Sequence, residues 1–476
     1  MSTQPDGLIA VVKQDCPTCT LIEPVLKQIG QTDCSLTVYT QDNPEFPTGV
    51  ATVIDDTSLE QSYKFNIETV PTLLRFENGK ETERAIGWHR GDWESVSGLS
   101  DLGTDLPESR PGCGSKSVEP GIVEKLAVQF GDSKLAARRV EVGSLEDEME
   151  ACFKRGWTDG LPVVPPTEER VLRMLEGTTR SPDEHVGIVP PNYNDCTVEK
   201  IAINAVMAGC KPEYLPVVLA AVEAVLSEEF GMHGLLATTY FAGPMVIVNG
   251  PITREIGMNA RVNALGQGNR ANATIGRTLQ LIIRNIGGRV PGGVDRAMLG
   301  NPGKYTFCFA EREDDSPWES LAVERGFSPD TSTVSLFAAS GVTPISDTAS
   351  RDPDDLCRSF AACLKAVSHP KSANQPSPVL VVSPEHSRRF GDAGWSKAQF
   401  RETLNRYLQI PVEELISGTG GIVEGISESR AKNQKTMPKF RANTLHIVRA
   451  GGDAGLFSAI ISSWGGSQSV TKEIKP

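Results

Sequence analysis

The chain has 476 residues, 39% hydrophobic and 22% charged, which fits a globular protein too long for one core. A formal charge of −13 argues against a general nucleic-acid surface. No apolar run reaches membrane-spanning length, and the N-terminus lacks the basic start and long apolar stretch of a signal peptide. A cytoplasmic protein is therefore expected, with no membrane partner and with most of its ten cysteines reduced.

The first element in chain order is Leu8-Ile9-Ala10-Val11-Val12, which predicts a buried strand, and Thr20 through Gln28 predicts a helix. Between them stands Cys16-Pro17-Thr18-Cys19. The spacing places Cys16 at a helix N-terminus, where unpaired N–H groups and the dipole lower a thiol pKa, and Cys19 one turn further in, where it can resolve a mixed disulfide. The same spacing is half of a zinc site. No second CxxC or Cys/His pair follows at ligand spacing, so redox chemistry is expected and no metal.

Further along are Pro24 inside the helix after the motif and the segment Thr69-Val70-Pro71-Thr72-Leu73. Leu73 through Phe76, the turn Glu77-Asn78-Gly79-Lys80 and a strand from Thr82 predict a hairpin, followed by Gly87 and a helix from Asp92. With the CxxC, these features resemble the thioredoxin family over residues 1–100. The resemblance implies a thioredoxin fold with a kinking proline at Pro24. It also implies a cis-proline loop at Pro71, packed against the CxxC on the substrate-binding side. Gln14-Asp15 stand where typical thioredoxins carry a tryptophan, a departure that bears on partner surface and redox potential.

Residues 101–121 are rich in Gly, Pro, Ser and acidic side chains and predict a linker. It carries Arg110-Pro111-Gly112-Cys113-Gly114-Ser115-Lys116. Flanking cations favour a thiolate and flanking glycines leave the sulfur accessible, so Cys113 reads as a mobile reactive thiol. An unselected exposed cysteine is the plainer alternative.

From 122 to 476 the pattern predicts a larger α/β or α+β domain, with a possible subdomain edge near 374–378. Helices are expected at Leu145–Arg155, Thr167–Glu176, Val198–Ala208, Pro212–Leu226, Thr274–Ile286, Ser396–Leu408 and Val412–Ile416. Strands are expected at Gly234–Thr239, Met245–Val248, Lys304–Ala310, Thr333–Phe337, Pro378–Val382 and Thr444–Val448. The run from Phe153 to Thr167, together with Cys113-Gly114-Ser115, resembles a group of bacterial proteins of poorly defined activity that carry a (seleno)cysteine-Gly-Ser-Cys signature. Lys116 replaces the second thiol of that signature, so any disulfide partner of Cys113 must come from elsewhere.

The run Gly266 to Arg277 is the candidate pocket element. Gly268, Asn269, Asn272 and Thr274 at a helix start offer backbone N–H groups, and Arg270 and Arg277 add bidentate donors, which suits a small anionic substrate. A polar cap with solvated arginines is the alternative. Neither a dinucleotide glycine pattern nor a Walker lysine is present, so no cofactor is expected. Cys210, after Gly209 and before Lys211, is either a reactive thiol or a buried structural one, and Cys196 is a weaker candidate. Cys34, Cys152, Cys308, Cys357 and Cys363 read as core. Among six histidines, His233 is the acid–base candidate, while His185 and His386 read as solvated.

The expected function is that of a thiol-dependent oxidoreductase. Cys16 and Cys19 would regenerate a catalytic thiol of the large domain, Cys210 or Cys113, with His233 as proton donor. A thioredoxin reductase or small thiol would supply electrons. The alternatives are a lyase or hydrolase of a sulfur-containing small molecule, with the N-terminal domain as accessory reductant or persulfide acceptor, and a non-enzymatic redox sensor or chaperone-like binder.

Overall fold

The computed structural model describes residues 6–131, 135–143, 146–441 and 445–475. It divides into two compact units, Met1–Lys134 with Glu168–Leu172 and Leu135–Thr167 with Arg173–Pro476. Both units combine helices with a mixed sheet, an α/β architecture.

The first unit contains β1 (Gly7–Val12), α1 (Pro17–Leu21), α2 (Glu23–Gly30), β2 (Leu36–Thr40), β3 (Val53–Asp55), α3 (Glu60–Lys64) and β4 (Thr69–Val70). It continues through β5 (Thr72–Glu77), β6 (Lys80–Ile86), β7 (Trp88–His89), α4 (Arg90–Ser97), β8 (Ser109–Arg110), β9 (Cys113–Gly114) and α5 (Ile122–Phe130). Its main sheet has the order β3-β2-β1-β5-β6. The apolar run in β1 is unbroken because the strand is central, parallel to β2 on one side and antiparallel to β5 on the other. The β5–β6 hairpin turns at Asn78 and Gly79, with φ 53° and 70°, the paired positive values that favour Asn-Gly in a two-residue turn.

Two expectations are corrected here. The helix expected over Thr20–Gln28 is two helices, α1 and α2, separated at Ile22 (φ −90°, ψ 5°). Pro24 therefore lies in the first turn of α2, where its missing N–H costs nothing, and kinks no continuous helix. The segment read as a linker is a strap fastened to the first unit. Leu102 is fully buried in the core with Val25 and Trp88. The Arg90 guanidinium donates to the carbonyls of Leu102, Gly103 and Leu106 at 3.1, 3.1 and 2.7 Å. Trp88 Nε1 donates to Pro107 O at 2.7 Å. Beyond it β8 pairs with β7 and β9 with β4. Gly and Pro suggested freedom, but this strap is held through its backbone, which side-chain composition does not report.

In the second unit the described residues build a seven-stranded sheet around the long strand Thr333–Ser346. That strand runs antiparallel to Gly243–Asn249 along one edge and to Val470–Glu473 and Phe457–Ser463 along the other. Parallel pairs stand at both ends of the sheet, Gly243–Asn249 with Cys308–Ala310 and Val379–Val382 with His446–Arg449. The helices Val198–Ala208, Leu215–Val225 and Arg270–Asn285 pack on one another. Gly234–Thr239, expected as a strand, lies largely within the helix Met232–Ala237. Met232, Leu235 and Leu236 are buried at helical spacing, and Gly231 opens the helix with φ 62°. The strand expected from Lys304 begins only at Cys308. No division of contacts falls near 374–378, where Asn374 and Gln375 donate their N–H groups to Pro438 O and Lys439 O at 2.9 and 2.8 Å. Leu145 and Thr444, the first residues of two expected elements, lie outside the described residues.

Because Leu102 is a core residue, Leu102→Ala should destabilise the first unit by about 2–5 kcal/mol. Urea unfolding followed by hydrogen exchange of β1 peptides checks this. An unchanged midpoint would return the segment to the status of a linker.

Candidate active site

Strand β1 delivers the chain to the CxxC through Lys13, Gln14 and Asp15. The Asp42 carboxylate accepts the N–H groups of Gln14 and Asp15 at 2.7 and 2.9 Å, which fixes the approach. Cys16 is the N-cap of α1, extended at φ −143° and ψ 113°, with Pro17 in the first turn. Its sulfur accepts the Cys19 N–H at 3.4 Å and reaches Val70 O at 3.6 Å. The Val70–Pro71 bond is cis, so the loop that carries Pro71 presents the Val70 carbonyl directly to the Cys16 sulfur.

A third thiol completes the site. In the β4–β9 pair Cys113 stands directly opposite Val70, and Gly114 opposite Thr69. Cross-strand partners in such a pair lie about 5 Å apart, and Cys16 reaches the carbonyl of the same Val70. Cys113 is near enough to Cys16 for each thiol to shift the acidity of the other. Both flanks of Cys113 are pinned: Thr18 Oγ1 donates to Pro111 O at 2.7 Å and Lys13 Nζ to Gly114 O at 2.8 Å. Further along, Gln41 Nε2 donates to Ser115 Oγ at 2.6 Å, and Gln41 Oε1 accepts the Lys116 N–H at 3.0 Å. Gly112 is needed for closeness, since a Cβ there would meet Thr69 Cγ2 at 2.4 Å and Val70 O at 2.7 Å.

The three thiols differ sharply in acidity. Hydrogen bonding from the Cys19 thiol, with a further one from Cys113, pulls Cys16 down to about 5 against the cost of burial. Burial, and then the neighbouring Cys16 sulfur, pushes Cys19 far up. Cys113 is raised because its proton is held on the Cys16 sulfur, with burial adding to the effect. All three are free thiols. Cys16 and Cys19 are sealed, at 1% and 0% exposure, while Cys113 is half-buried. The acidic thiol expected at Cys16 is therefore covered, and of the three the thiol nearest to solvent is Cys113. Thr18, Lys13 and Gln41 carry no signal in the sequence that would have marked them as anchors of the strap.

The second unit brings several of the expected residues together around the start of the helix Arg270–Asn285. Asn269 caps the helix Arg270–Asn285, its Oδ1 accepting the Asn272 N–H at 2.9 Å. Asn272 in turn bonds Asn259 through both ends of its amide, and Thr274 Oγ1 donates to Arg270 O at 2.8 Å. Gly268 adopts φ 113° in the loop before the cap. Arg270 Nε donates to Gly209 O at 2.9 Å. Arg277 holds both oxygens of Asp159 at 2.9 and 2.8 Å and the carbonyls of Leu161 and Pro162. Arg277 and the Asn272 amide are thus engaged within the protein, while Arg270 is exposed and bonded through Nε alone.

Cys210 lies beside the same helix, with its sulfur 3.2 Å from Thr278 Oγ1. It is 6% exposed and burial pushes its pKa up, which makes it an inert core thiol. Burial likewise pushes Cys196 up to about 12. Cys34 and Cys363, expected in the core, are only partly buried. His233 is exposed, stacked on Tyr193, and its Nδ1 lies 3.0 Å from the Tyr193 hydroxyl, so its partner is a tyrosine and none of the thiols. His386, expected in solvent, is 1% exposed between Ser458 Oγ and Asp347 O at 2.8 and 3.0 Å.

Comparison with family models, curated proteins and solved structures finds no match to this chain.

Two outcomes follow from this geometry. Ultraviolet thiolate absorbance should show one cysteine ionising near pH 5, lost in Cys16→Ser and moved upward in Cys113→Ala, which removes a donor. Removing Arg277 strands the Asp159 carboxylate, so Arg277→Ala should cost about 1–3 kcal/mol in urea unfolding. An unchanged midpoint would mean that the guanidinium is not committed to Asp159.

Proposed function

We propose that the first unit is a thioredoxin-like domain and that the protein is a thiol-disulfide oxidoreductase whose internal exchange partner is Cys113. The observation that carries this reading is the pairing of Cys113 with Val70, the residue whose carbonyl the Cys16 sulfur reaches at 3.6 Å. The strand order, the CxxC at a helix start and the cis proline beside it support the fold assignment. The pairing resembles strand addition by an extended peptide, with the main chain giving affinity and one side chain giving specificity. Here the peptide belongs to the chain itself.

In the proposed cycle Cys113, the least covered of the three, first attacks an outside disulfide, forming a mixed disulfide with one half of it and releasing the other half as a thiol. The Cys16 thiolate attacks the Cys113 sulfur, the S–S bond to the outside group breaks, and that group leaves as a thiolate and takes up a proton. Cys19, losing its proton, attacks the Cys16 sulfur and expels Cys113 as a thiol. The balance is one Cys113 mixed disulfide plus the Cys16 and Cys19 thiols giving a Cys16–Cys19 disulfide, free Cys113 and the released thiol. Two electrons pass from the CxxC pair to the mixed disulfide, and an external dithiol restores the pair. The acidity order suits these roles, since the attacking sulfur is ionised near neutral pH and the resolving one holds its proton until the mixed disulfide forms. Cys210, sealed in the second unit, has no part in this cycle.

The test is Cys19→Ser treated with oxidised glutathione. Glutathione caps Cys113, Cys16 displaces it, and without a resolving thiol the Cys16–Cys113 disulfide accumulates. Non-reducing peptide mapping should find that bridge as the main product, while the wild type should end as Cys16–Cys19. Cys16 joined only to glutathione would overturn the proposal.

A further inference from the structure

The second unit holds a cavity of about 540 Å3 between the helix Arg270–Asn285 and the loop that follows it. The chain turns back under the helix end: the Gly288 N–H donates to Arg284 O at 3.0 Å and the Arg289 N–H to Ile283 O at 3.2 Å. Gly288 makes this turn at φ 75°, and a Cβ there would stand 2.0 Å from the Asn192 amide. Arg289 is thereby folded into the cavity wall, 8% exposed.

Its guanidinium makes no hydrogen bond among the described residues. The buried Nε lies 3.3 Å from Asp295 Oδ2 without the alignment of a hydrogen bond. Asp295 spends both oxygens on Lys304 Nζ, at 2.9 and 2.8 Å. One carboxylate therefore faces two cations, and a third, Arg284, lines the same cavity. Asp159, the other acid in the wall, is committed to Arg277. Deeper in, Gln280 is 2% exposed, with its Nε2 3.4 Å from Pro244 O and its Oε1 buried without a partner. A buried guanidinium without hydrogen bonds and a buried amide oxygen without a donor are both costly, and both line one cavity.

We propose that this cavity binds a small oxyanion, a carboxylate or phosphate, whose oxygens take the Arg289 fork and whose hydroxyl or amino group donates to Gln280 Oε1. Arginine suits the role because its planar fork matches two oxygens at once. This inference is independent of the thiol cycle, because it uses none of the three sulfurs.

Isothermal titration of the full chain with inorganic phosphate, L-malate and acetate tests it. The wild type should bind phosphate or malate saturably, one per chain, and whichever binds names the headgroup. Arg289→Met should weaken that binding by at least about ten-fold, since a charged bidentate pair is lost. Its thermal midpoint should hold or rise, because a buried guanidinium without hydrogen bonds is removed while Asp295 keeps Lys304 as its partner. Gln280→Met should weaken the hydroxyl-bearing probe while leaving acetate unaffected. Should Arg289→Met not fold, Arg289→Lys keeps the charge without the fork and should show the same loss. No saturable binding of phosphate or malate by the wild type, or equal binding by wild type and variants, overturns the proposal.

Discussion

The two-residue pairing of Cys113–Gly114 on Thr69–Val70 is the contact on which the candidate site depends. Without it the first unit would present a CxxC at a helix start and a cis proline beside it, but not the third cysteine that the proposed cycle uses. The pairing also explains why the strap carries glycine where it does. Gly112 passes so close to Thr69 and Val70 that any side chain would push the strap away, and Cys113 with it. Two anchors from the CxxC region, Lys13 and Thr18, grip the carbonyls on either side of the cysteine. The strap therefore meets the CxxC region through its backbone.

The electrostatics follow from crowding three thiols in a small volume. Only one of them can be charged at neutral pH, and the helix start selects Cys16, where the Cys19 N–H and the two neighbouring thiols point at its sulfur. Cys19 keeps its proton chiefly because it is buried and then because of the Cys16 sulfur, and Cys113 chiefly because of the Cys16 sulfur beside it. Burial of Cys16 separates reactivity from access. The most acidic sulfur is covered, and the half-buried one is the poorer nucleophile. In the proposed cycle that separation makes Cys113 an intermediary between Cys16 and outside disulfides.

Much of the first unit was legible in the sequence because its signals are local. The apolar run at Leu8–Val12, the CxxC spacing, Asn78-Gly79 and Val70-Pro71 each specify their own few residues. The strap was misread because what holds it is not local. Leu102 and Cys113 find partners far along the chain, and Gly- and Pro-rich composition describes freedom the backbone would have only if it were unpaired. In the second unit the residues around Asn269 were correctly placed at a helix start, yet the Asn272 amide donates to Asn259 O, Arg270 Nε to Gly209 O and Arg277 to Asp159, which no spacing reveals. Gly234–Thr239 failed for a different reason: a short apolar run carries too little period to separate helix from strand. Arg289 had no signal at all, since its burial is created by the turn at Gly288.

The most direct test of the central contact is hydrogen–deuterium exchange across residues 109–118 of the reduced full-length protein. Paired as described, with the Ser115 N–H on Glu68 O at 2.9 Å, this segment should exchange slowly and in step with Thr69–Val70. Exchange at the rate of an unstructured chain would show that Cys113 is not held at Cys16 and would contradict the account.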